Sequence, residues 1–290
     1  MVYKVAVCKE NIRGYPVIEF VQLLNQSFFI QLVLISGMNN IVLITGATSG
    51  IGLACARKFA AAGYQLIITG RRKDRLVDLQ QELQQTYANR VLPLVFDVQD
   101  RQAVEHNLNN LPEEWRAVDI LINNAGLAAG RDSFEAADLN DWETMLNTNV
   151  HGLLYVTKAI IPQMVERKTG HIINMGSVAG KEVYEKGNVY CASKFAVDAI
   201  SKAMRIDLLK YNIKVTAIHP GAVETEFALV RFKGDEAKAA STYTGIKPLS
   251  GDDIADTIFY CSQLPPHVCI NDLVITCTQQ AGTYYFNKTA

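Results

Sequence analysis

A tyrosine and a lysine lie four positions apart in the segment YCASK, as Tyr190 and Lys194. A free tyrosine phenol has a pKa of about 10 and stays protonated at neutral pH. A nearby ammonium group favours the ionised phenolate and lowers the pKa of the tyrosine. The pair could therefore exchange a proton with a substrate near neutral pH. The spacing also allows two solvated neighbours on a helix surface.

A glycine cluster, TGATSGIG at residues 45–52, follows the apolar run that begins at Ile41. Its glycines permit a tight turn, and the next helix would offer free N–H groups to a pyrophosphate. The cluster lacks the Gly-Lys-Ser/Thr ending of a P-loop, which argues against a nucleoside triphosphatase. We expect a dinucleotide to be held by Gly46, Ala47, Thr48, Ser49, Gly50, Ile51 and Gly52.

Two arginines, Arg71 and Arg72, follow the second apolar run in ITGRRKDRL. Guanidinium groups pair well with phosphate, so the site is expected to take the ribose 2′-phosphate of NADP in preference to NAD. A solvated helix start is the alternative for this basic segment. Asp97 and Val98 end the third run, where Asp97 would accept a hydrogen bond from the adenine amino group or cap the next helix.

Short apolar runs alternate with helical patterns from residue 41 onward, and the runs are continuous, as in parallel strands buried on both faces. This βαβα alternation predicts an α/β fold: a single-domain, Rossmann-like, doubly wound parallel sheet of about seven strands with helices on both faces. The predicted strands are 41–45, 65–69, 91–96, 118–122, 171–175, 214–218 and 272–276. The predicted helices are 50–62, 73–87, 100–110, 139–167, 188–211 and 251–263, and the long connection 226–250 is expected to be a lid loop.

The composition excludes several classes of protein. A net charge of −1 gives no basic excess for nucleic acid. The six cysteines form no C-x-x-C pair and have no histidine at ligand spacing, so we expect reduced thiols, no metal site and a cytoplasmic location. His219 is expected to be packed or hydrogen-bonded.

The N-terminal segment is apolar at residues 17–35, which is long enough for a membrane span. Polar residues interrupt it, and each is costly in hydrocarbon, so neither a span nor a signal peptide is expected. We interpret residues 1–37 as an appended amphipathic extension or as the product of a start codon assigned too early, with Met38 as the first residue. The catalytic domain would then be 38–290. The interrupting residues are Glu19, Gln22, Asn25, Gln26 and Gln31.

Six motifs occur in the order and spacing of the short-chain dehydrogenases/reductases, and the resemblance covers residues 41 to about 280. They are TGATSGIG, NNAG, NTNVHG, GSVAG, YCASK and HPGAVET. The longer segments TGRR, LPEEWRAVDILINNAGLA, DWETMLNTNVHG, KGNVY and VRFKGDEAKAASTY resemble the NADP-dependent 3-hydroxy acid dehydrogenases. Members of that branch oxidise serine, L-allo-threonine and related 3-hydroxy acids and reduce malonic semialdehyde.

The resemblance implies a role for each residue at the reacting centre. Tyr190 would donate or accept the proton, and Lys194 would lower the tyrosine pKa and bind the nicotinamide ribose. Ser177 would hold the substrate oxygen, and Asn149 would keep a water that links Lys194 to solvent. Further contacts with NADP are expected from Asn124, Ala125, Gly126, Pro220, Gly221, Val223 and Thr225.

A 3-hydroxy acid also requires a cation for its carboxylate. Arg231 and Lys233 in the long connection are the candidates, with Arg231 preferred, although solvated lid residues are the alternative. A 3-oxoacyl or general carbonyl reductase of the same family remains open, as does a non-catalytic NADP-binding regulator. Many relatives are tetramers, so we expect a homo-oligomer, in which the aromatic segment TYYFN at 283–287 could form a subunit contact.

Overall fold

Seven parallel strands form the sheet in the computed structural model, which describes residues 40–289. The strand order is β3-β2-β1-β4-β5-β6-β7, which confirms the predicted doubly wound sheet. The expectations for residues 1–37 and Met38 lie outside the described residues. The strands are β1 Ile41–Ile44, β2 Gln65–Gly70, β3 Val91–Val95, β4 Val118–Asn123, β5 Gly170–Met175, β6 Ile213–Pro220 and β7 Asp272–Ile275.

The central strands are buried on both faces. In β1, Val42 and Ile44 belong to one core cluster, whereas Ile41 and Leu43 belong to a second. Successive side chains of a strand point to opposite faces, so each face of the sheet carries its own core. This explains the continuous apolar runs of the sequence. Pro93 lies in β3 at the edge of the sheet, where a missing N–H is tolerated.

Helices connect the strands close to the predicted positions. They are α1 Gly50–Ala61, α2 Lys73–Tyr87, α3 Arg101–Asn109, α4 Leu139–Leu146, α5 Leu153–Arg167, α6 Asn188–Leu208, α7 Phe227–Arg231, α8 Glu236–Ser241 and α9 Gly251–Ser262. Local chemistry sets several of their ends. Ser250 and Asp253 form a capping box at the start of α9, and Ala88 ends α2 in the left-handed region at φ 56°.

The helix predicted over 139–167 is not uniform. A π-helical segment, Asn147–Gly152, separates α4 from α5. Such wider turns occur inside α-helices and are frequent at functional sites. The predicted helix 188–211 likewise changes to a 3₁₀ turn, Leu209–Tyr211, after α6.

The long connection 226–250, expected to be a lid loop, contains two short helices, α7 and α8, that were not predicted. Its middle is tied to the loop before α4 and to α4 itself, because the Gly130 N–H donates to the Arg231 carbonyl at 3.0 Å and the Lys233 ammonium pairs with Asp141 of α4 at 2.9 Å. We call residues 226–250 the lid segment. Within residues 40–289, no helix is both long enough and apolar enough to cross a membrane.

Candidate active site

A cavity of about 600 Å³ opens at the carboxyl edge of the sheet. This volume lies within the range of roughly 300–1,000 Å³ that is typical of small-molecule sites. In doubly wound sheets this edge, where the strand order reverses between β1 and β4, is where ligands bind. The cavity runs from Arg71 and Arg72 at one end to Ser177, Tyr190 and Arg231 at the other.

The glycine loop forms the floor of the cavity. Gly46 adopts a φ of +67°, which favours glycine, and Asn124 Nδ2 donates to the Gly46 carbonyl at 3.2 Å. A Cβ at Gly52 would overlap the Gly46 carbonyl oxygen, so α1 packs tightly against the loop. Ser49 begins α1 without a capping bond from its own side chain, and the first turn of the helix carries no acidic residue.

This floor fits a dinucleotide, because the exposed N-terminus of α1 suits a pyrophosphate. The predicted loop residues that line the cavity are Gly46, Thr48, Ser49, Gly50 and Ile51. Ala47 and Gly52 are not among the lining residues, and their predicted contact with the cofactor stays a prediction. Ala47 is fully buried, and its N–H donates to the Thr69 carbonyl.

The basic end of the cavity is built around Arg72. Its Nη2 donates to Thr48 Oγ1 and to Ser49 Oγ, each at 2.8 Å, so the guanidinium is fixed against the glycine loop. Arg71 lies beside it and pairs with Asp97 at 3.4 Å. Two guanidinium groups and two hydroxyls at this end fit a phosphate such as the 2′-phosphate of NADP.

Asp97 lies in the cavity wall together with Val98. The alternative role of Asp97 as a helix cap is wrong, since α3 is capped by Asp100, which accepts a hydrogen bond from the Ala103 N–H at 3.0 Å. The other predicted cofactor residues that line the cavity are Asn124, Ala125, Gly126, Pro220, Gly221, Val223 and Thr225.

Three of the residues predicted to act on the substrate meet at the other end of the cavity. Ser177 follows β5, and Tyr190 and Lys194 lie one turn apart on α6, all lining the cavity. Tyr190 and Lys194 are buried, and the Lys194 ammonium donates to the Met175 carbonyl at 2.8 Å. The same ammonium lies 6.0 Å from the centre of the Tyr190 ring.

Asn149 lies in the π-helical segment, behind the cavity wall. Its Oδ1 accepts from the Leu127 N–H at 2.8 Å, and its Nδ2 donates to the Leu127 carbonyl at 2.8 Å and to Ser193 Oγ at 3.0 Å. Its side chain therefore joins α6 to the loop after β4. The predicted water link from Asn149 to Lys194 stays a prediction.

The buried setting changes the acidity of both groups on α6. Burial raises the pKa of Tyr190, as does the neighbouring Tyr184, whereas a hydrogen bond with Ser177 and the charge of Arg231 lower it. Burial also lowers the pKa of Lys194 to about 8. The positive charge of Arg231 thus lowers the pKa of Tyr190, an effect that the YCASK spacing could not reveal.

The lid segment brings Arg231 close to Tyr190. The guanidinium carbon of Arg231 lies 5.6 Å from the centre of the Tyr190 ring and 5.5 Å from that of Tyr184. The guanidinium carbon of Arg131 lies 6.0 Å from the centre of the Tyr184 ring, and Arg131 also lines the cavity. Lys233, the other predicted cation, is outside the lining and pairs with Asp141.

Several lining residues were missed by the sequence-based interpretation. Tyr184 and Arg131 lie in loops and share no periodicity or motif with the predicted site. Glu226 is also in the lining, within the quoted lid segment, but an acid was not sought near a phosphate site. These residues are brought together by the fold, from the loop after β4, the loop after β5 and the lid segment.

A cluster of charged groups lies behind Ser177. Asp198, His219 and Asp272 have ligand-type atoms within 4.8 Å of one another. The Lys181 ammonium already bridges the two carboxylates, at 3.0 Å from Asp198 and 2.6 Å from Asp272. His219 is fully buried with its Nδ1 at 3.3 Å from the Ser177 carbonyl, so it is packed and hydrogen-bonded as predicted.

Comparison with known proteins adds independent findings. Residues 40–235 match the family model described as short chain dehydrogenase. The chain is 47% identical to sulfoacetaldehyde reductase 2 of Chromohalobacter salexigens over 249 residues, covering 86% of this chain and 98% of that protein. It is also 47% identical to the NADP-dependent 3-hydroxy acid dehydrogenase YdfG of Escherichia coli (strain K12) over 234 residues, covering 80% and 93% of the two chains.

Solved structures give the same picture. The closed form of serine dehydrogenase complexed with NADP+ matches with a TM-score of 0.79 and 46% identity, covering 83% of this chain and 96% of that one. A short-chain dehydrogenase from Sphingobium yanoikuyae in complex with NADPH matches with a TM-score of 0.68 and 30% identity, covering 81% and 86%.

Proposed function

Because this chain belongs to the short chain dehydrogenase family, we propose that it transfers hydride between NADP and the 3-hydroxyl group of small 3-hydroxy acids. Serine, L-allo-threonine and the pair 3-hydroxypropionate/malonic semialdehyde are the proposed substrates. The chain is an NADP-dependent oxidoreductase that acts on hydroxyl groups, as its relatives are. The proposal concerns which alcohol it uses.

The residues at the reacting centre support proton transfer at the substrate oxygen. When bound, NADP supplies or accepts the hydride. The Ser177 hydroxyl would donate a hydrogen bond to the substrate oxygen, and the Tyr190 hydroxyl would give that oxygen a proton in reduction or take one in oxidation. The Lys194 ammonium, in the same buried wall, would favour the phenolate.

The observation that carries the substrate class is the position of Arg231. Its guanidinium lines the cavity beside Tyr190 and is held by a hydrogen bond with Tyr184 and by its Nε donating to the Gly130 carbonyl at 3.4 Å. In a 3-hydroxy acid, one carbon atom separates the carboxylate from the carbon that reacts. Such a carboxylate could pair with Arg231 while the hydroxyl lies at Tyr190. Guanidinium matches the planar carboxylate with two parallel hydrogen bonds.

The test compares charged and neutral alcohols in an Arg231→Met variant. We expect kcat/KM for serine and 3-hydroxypropionate to fall roughly 10- to 100-fold, because a hydrogen bond to a charged group is lost. The loss of kcat/KM should be smaller for the neutral analogue 1,3-propanediol, because it has no carboxylate and is affected only through the change at Tyr190. Turnover is followed as NADPH absorbance at 340 nm, with NAD run in parallel.

Lys238→Met is the matched control, because Lys238 is an exposed cation of the same lid segment, lies outside the cavity lining and pairs with Asp235 of that segment. It should keep the kcat/KM of the unaltered protein for every alcohol. If Arg231→Met reduced the turnover of acids and of 1,3-propanediol equally, Arg231 would act through Tyr190 alone and the assignment of the carboxylate would be wrong.

A second candidate substrate carries a sulfonate in place of the carboxylate. The relative from Chromohalobacter salexigens is named a sulfoacetaldehyde reductase. Sulfoacetaldehyde and malonic semialdehyde both place one methylene between the aldehyde and the anionic group, so the same arginine could hold either. Arg131, which also lines the cavity, would suit the third oxygen of a sulfonate. A higher kcat/KM for sulfoacetaldehyde than for malonic semialdehyde would favour this candidate.

The substrate panel also tests the remaining alternatives. A 3-oxoacyl or general carbonyl reductase would prefer uncharged or acylated carbonyl compounds over short acids. A non-catalytic regulator would bind NADP and reduce nothing, which the presence of Ser177, Tyr190 and Lys194 in one cavity argues against. We also propose that the chain forms a homotetramer.

A further inference from the structure

The carboxylate of Glu226 pairs with two arginines at the basic end of the cavity. Glu226 Oε2 accepts from Arg72 Nη1 at 2.8 Å, and Glu226 Oε1 accepts from Arg75 Nη1 at 2.6 Å. Glu226, Arg72 and the two hydroxyl residues Thr48 and Ser49 all line the cavity. An acidic side chain of the protein therefore lies where a cofactor phosphate is expected.

The guanidinium of Arg72 is shared between two sets of partners. Its Nε and Nη2 edge is directed to Thr48 and Ser49, which leaves the Nη1 nitrogen for an external anion. That nitrogen holds the Glu226 carboxylate. A 2′-phosphate that paired with Arg72 at Nη1 would have to compete with this carboxylate for the same N–H groups.

Glu226 also connects this end of the cavity to the lid segment. It is the residue immediately before α7, the short helix that ends at Arg231. Thr225, one residue earlier, packs so closely on the glycine loop that a Cβ at Gly50 would lie 3.1 Å from the Thr225 Cβ. The Glu226 carboxylate thus joins the base of the lid segment to the start of α2.

We propose that Glu226 is an internal competitor of the NADP 2′-phosphate, which displaces its carboxylate from Arg72 and Arg75 when the cofactor binds. NAD has a hydroxyl at this position and cannot replace the carboxylate. Glu226 therefore weakens the binding of NADP without affecting NAD, and the arrival of the phosphate releases the base of the lid segment from α2.

Charge and exposure make this exchange feasible. The hydrogen bond from Arg72 is the main influence that holds the pKa of Glu226 below its usual value, so the competitor is an anion at neutral pH. All three side chains are between 41% and 48% exposed, and ion pairs in that setting contribute little because water and salt screen them. A phosphate dianion carries more charge and more acceptor oxygens than the carboxylate it would replace.

The test is the affinity of a Glu226→Gln variant for four probes: NADP, NAD, adenosine 2′-monophosphate and adenosine 5′-monophosphate. Titration calorimetry should give a Kd for NADP and for the 2′-monophosphate that is about 3- to 10-fold lower than in the unaltered protein. The Kd values for NAD and the 5′-monophosphate should stay within about twofold. The amide keeps the size of the side chain, so the fold is preserved.

Glu224→Gln is the matched control. Glu224 is an exposed acid two residues before Glu226 and is outside the cavity lining. Its replacement removes one negative charge without freeing Arg72. This variant should bind all four probes as the unaltered protein does. The inference is overturned if Glu226→Gln weakens NADP and NAD alike, which would make Glu226 a strap that holds any dinucleotide. Unchanged binding of the 2′-monophosphate would overturn it equally.

Discussion

At the scale of single residues, the acidity of Tyr190 is set by opposing influences. Burial raises its pKa, and Ser177 and Arg231 lower it. Lys194 is buried in the same wall, where its own pKa falls to about 8, so the ammonium is largely retained at neutral pH. The YCASK motif predicts the roles of the tyrosine and the lysine. It cannot predict Arg231, which is 41 positions away from Tyr190 in the chain.

Another buried titratable residue, His171, should make the stability of the fold depend on pH. Burial lowers its pKa to about 3, from the usual value of 6.5. Below pH 6.5 the unfolded chain takes up a proton that the folded chain refuses, so the free energy of unfolding falls as pH decreases toward 3. Between pH 7 and pH 5 this residue alone should cost about 2 kcal/mol.

His171→Gln should remove that part of the pH dependence. We expect the fall in unfolding free energy between pH 7 and pH 5, measured by urea denaturation, to be about 2 kcal/mol smaller in the variant. His267→Gln is the control, because His267 is exposed, and it should behave as the unaltered protein. Equal falls in all three proteins would mean that His171 is protonated inside the fold.

At the scale of secondary structure, the sheet could be predicted closely because its strands are buried on both faces. Continuous apolar runs are a strong signal, and each predicted run overlaps an observed strand with ends that agree within two residues. The doubly wound sheet was expected from the alternation of strands and helices, since right-handed crossovers leave few arrangements, but the order of the strands was not itself predicted. The glycine loop was predictable because its geometry depends on the residues themselves.

Other elements depend on contacts that sequence patterns do not contain. The π-helical segment keeps the apolar period of a helix, so only the bonds of Asn149 with Leu127 and Ser193 mark it. The two short helices of the lid segment, of five and six residues, are too short to give a periodic pattern. The end of α7 is held by contacts of Arg231 with Gly130 and of Lys233 with Asp141, which lie far away in the sequence. For the same reason Tyr184, Arg131 and Glu226 could not be assigned to the site.

At the scale of the whole molecule, we expect the chain to form a homo-oligomer. Tyr285, in the aromatic segment at 283–287, is 77% exposed, and Tyr284 beside it is 55% exposed. Large exposed aromatic side chains are enriched in the centres of subunit contacts. We expect light scattering after gel filtration to give about four times the chain mass of 32.1 kDa.

A Tyr285→Lys variant should shift the protein toward smaller species, because a charge in the centre of an interface is costly. Tyr260→Lys is the matched control, since Tyr260 is a similarly exposed tyrosine, at 61%, on α9. It should leave the mass unchanged. A monomeric mass for the unaltered protein would contradict the expected tetramer.

The most direct test of the catalytic account is the rate of a Tyr190→Phe variant with NADP and 3-hydroxypropionate. The change removes one hydroxyl and keeps the ring that packs against Arg231 and Phe227. We predict a fall in kcat of about 100- to 10,000-fold, the usual contribution of a positioned proton donor or acceptor, with the Kd for NADP changed less than about threefold. Turnover at the rate of the unaltered protein would contradict the role of the Tyr190 hydroxyl in proton transfer.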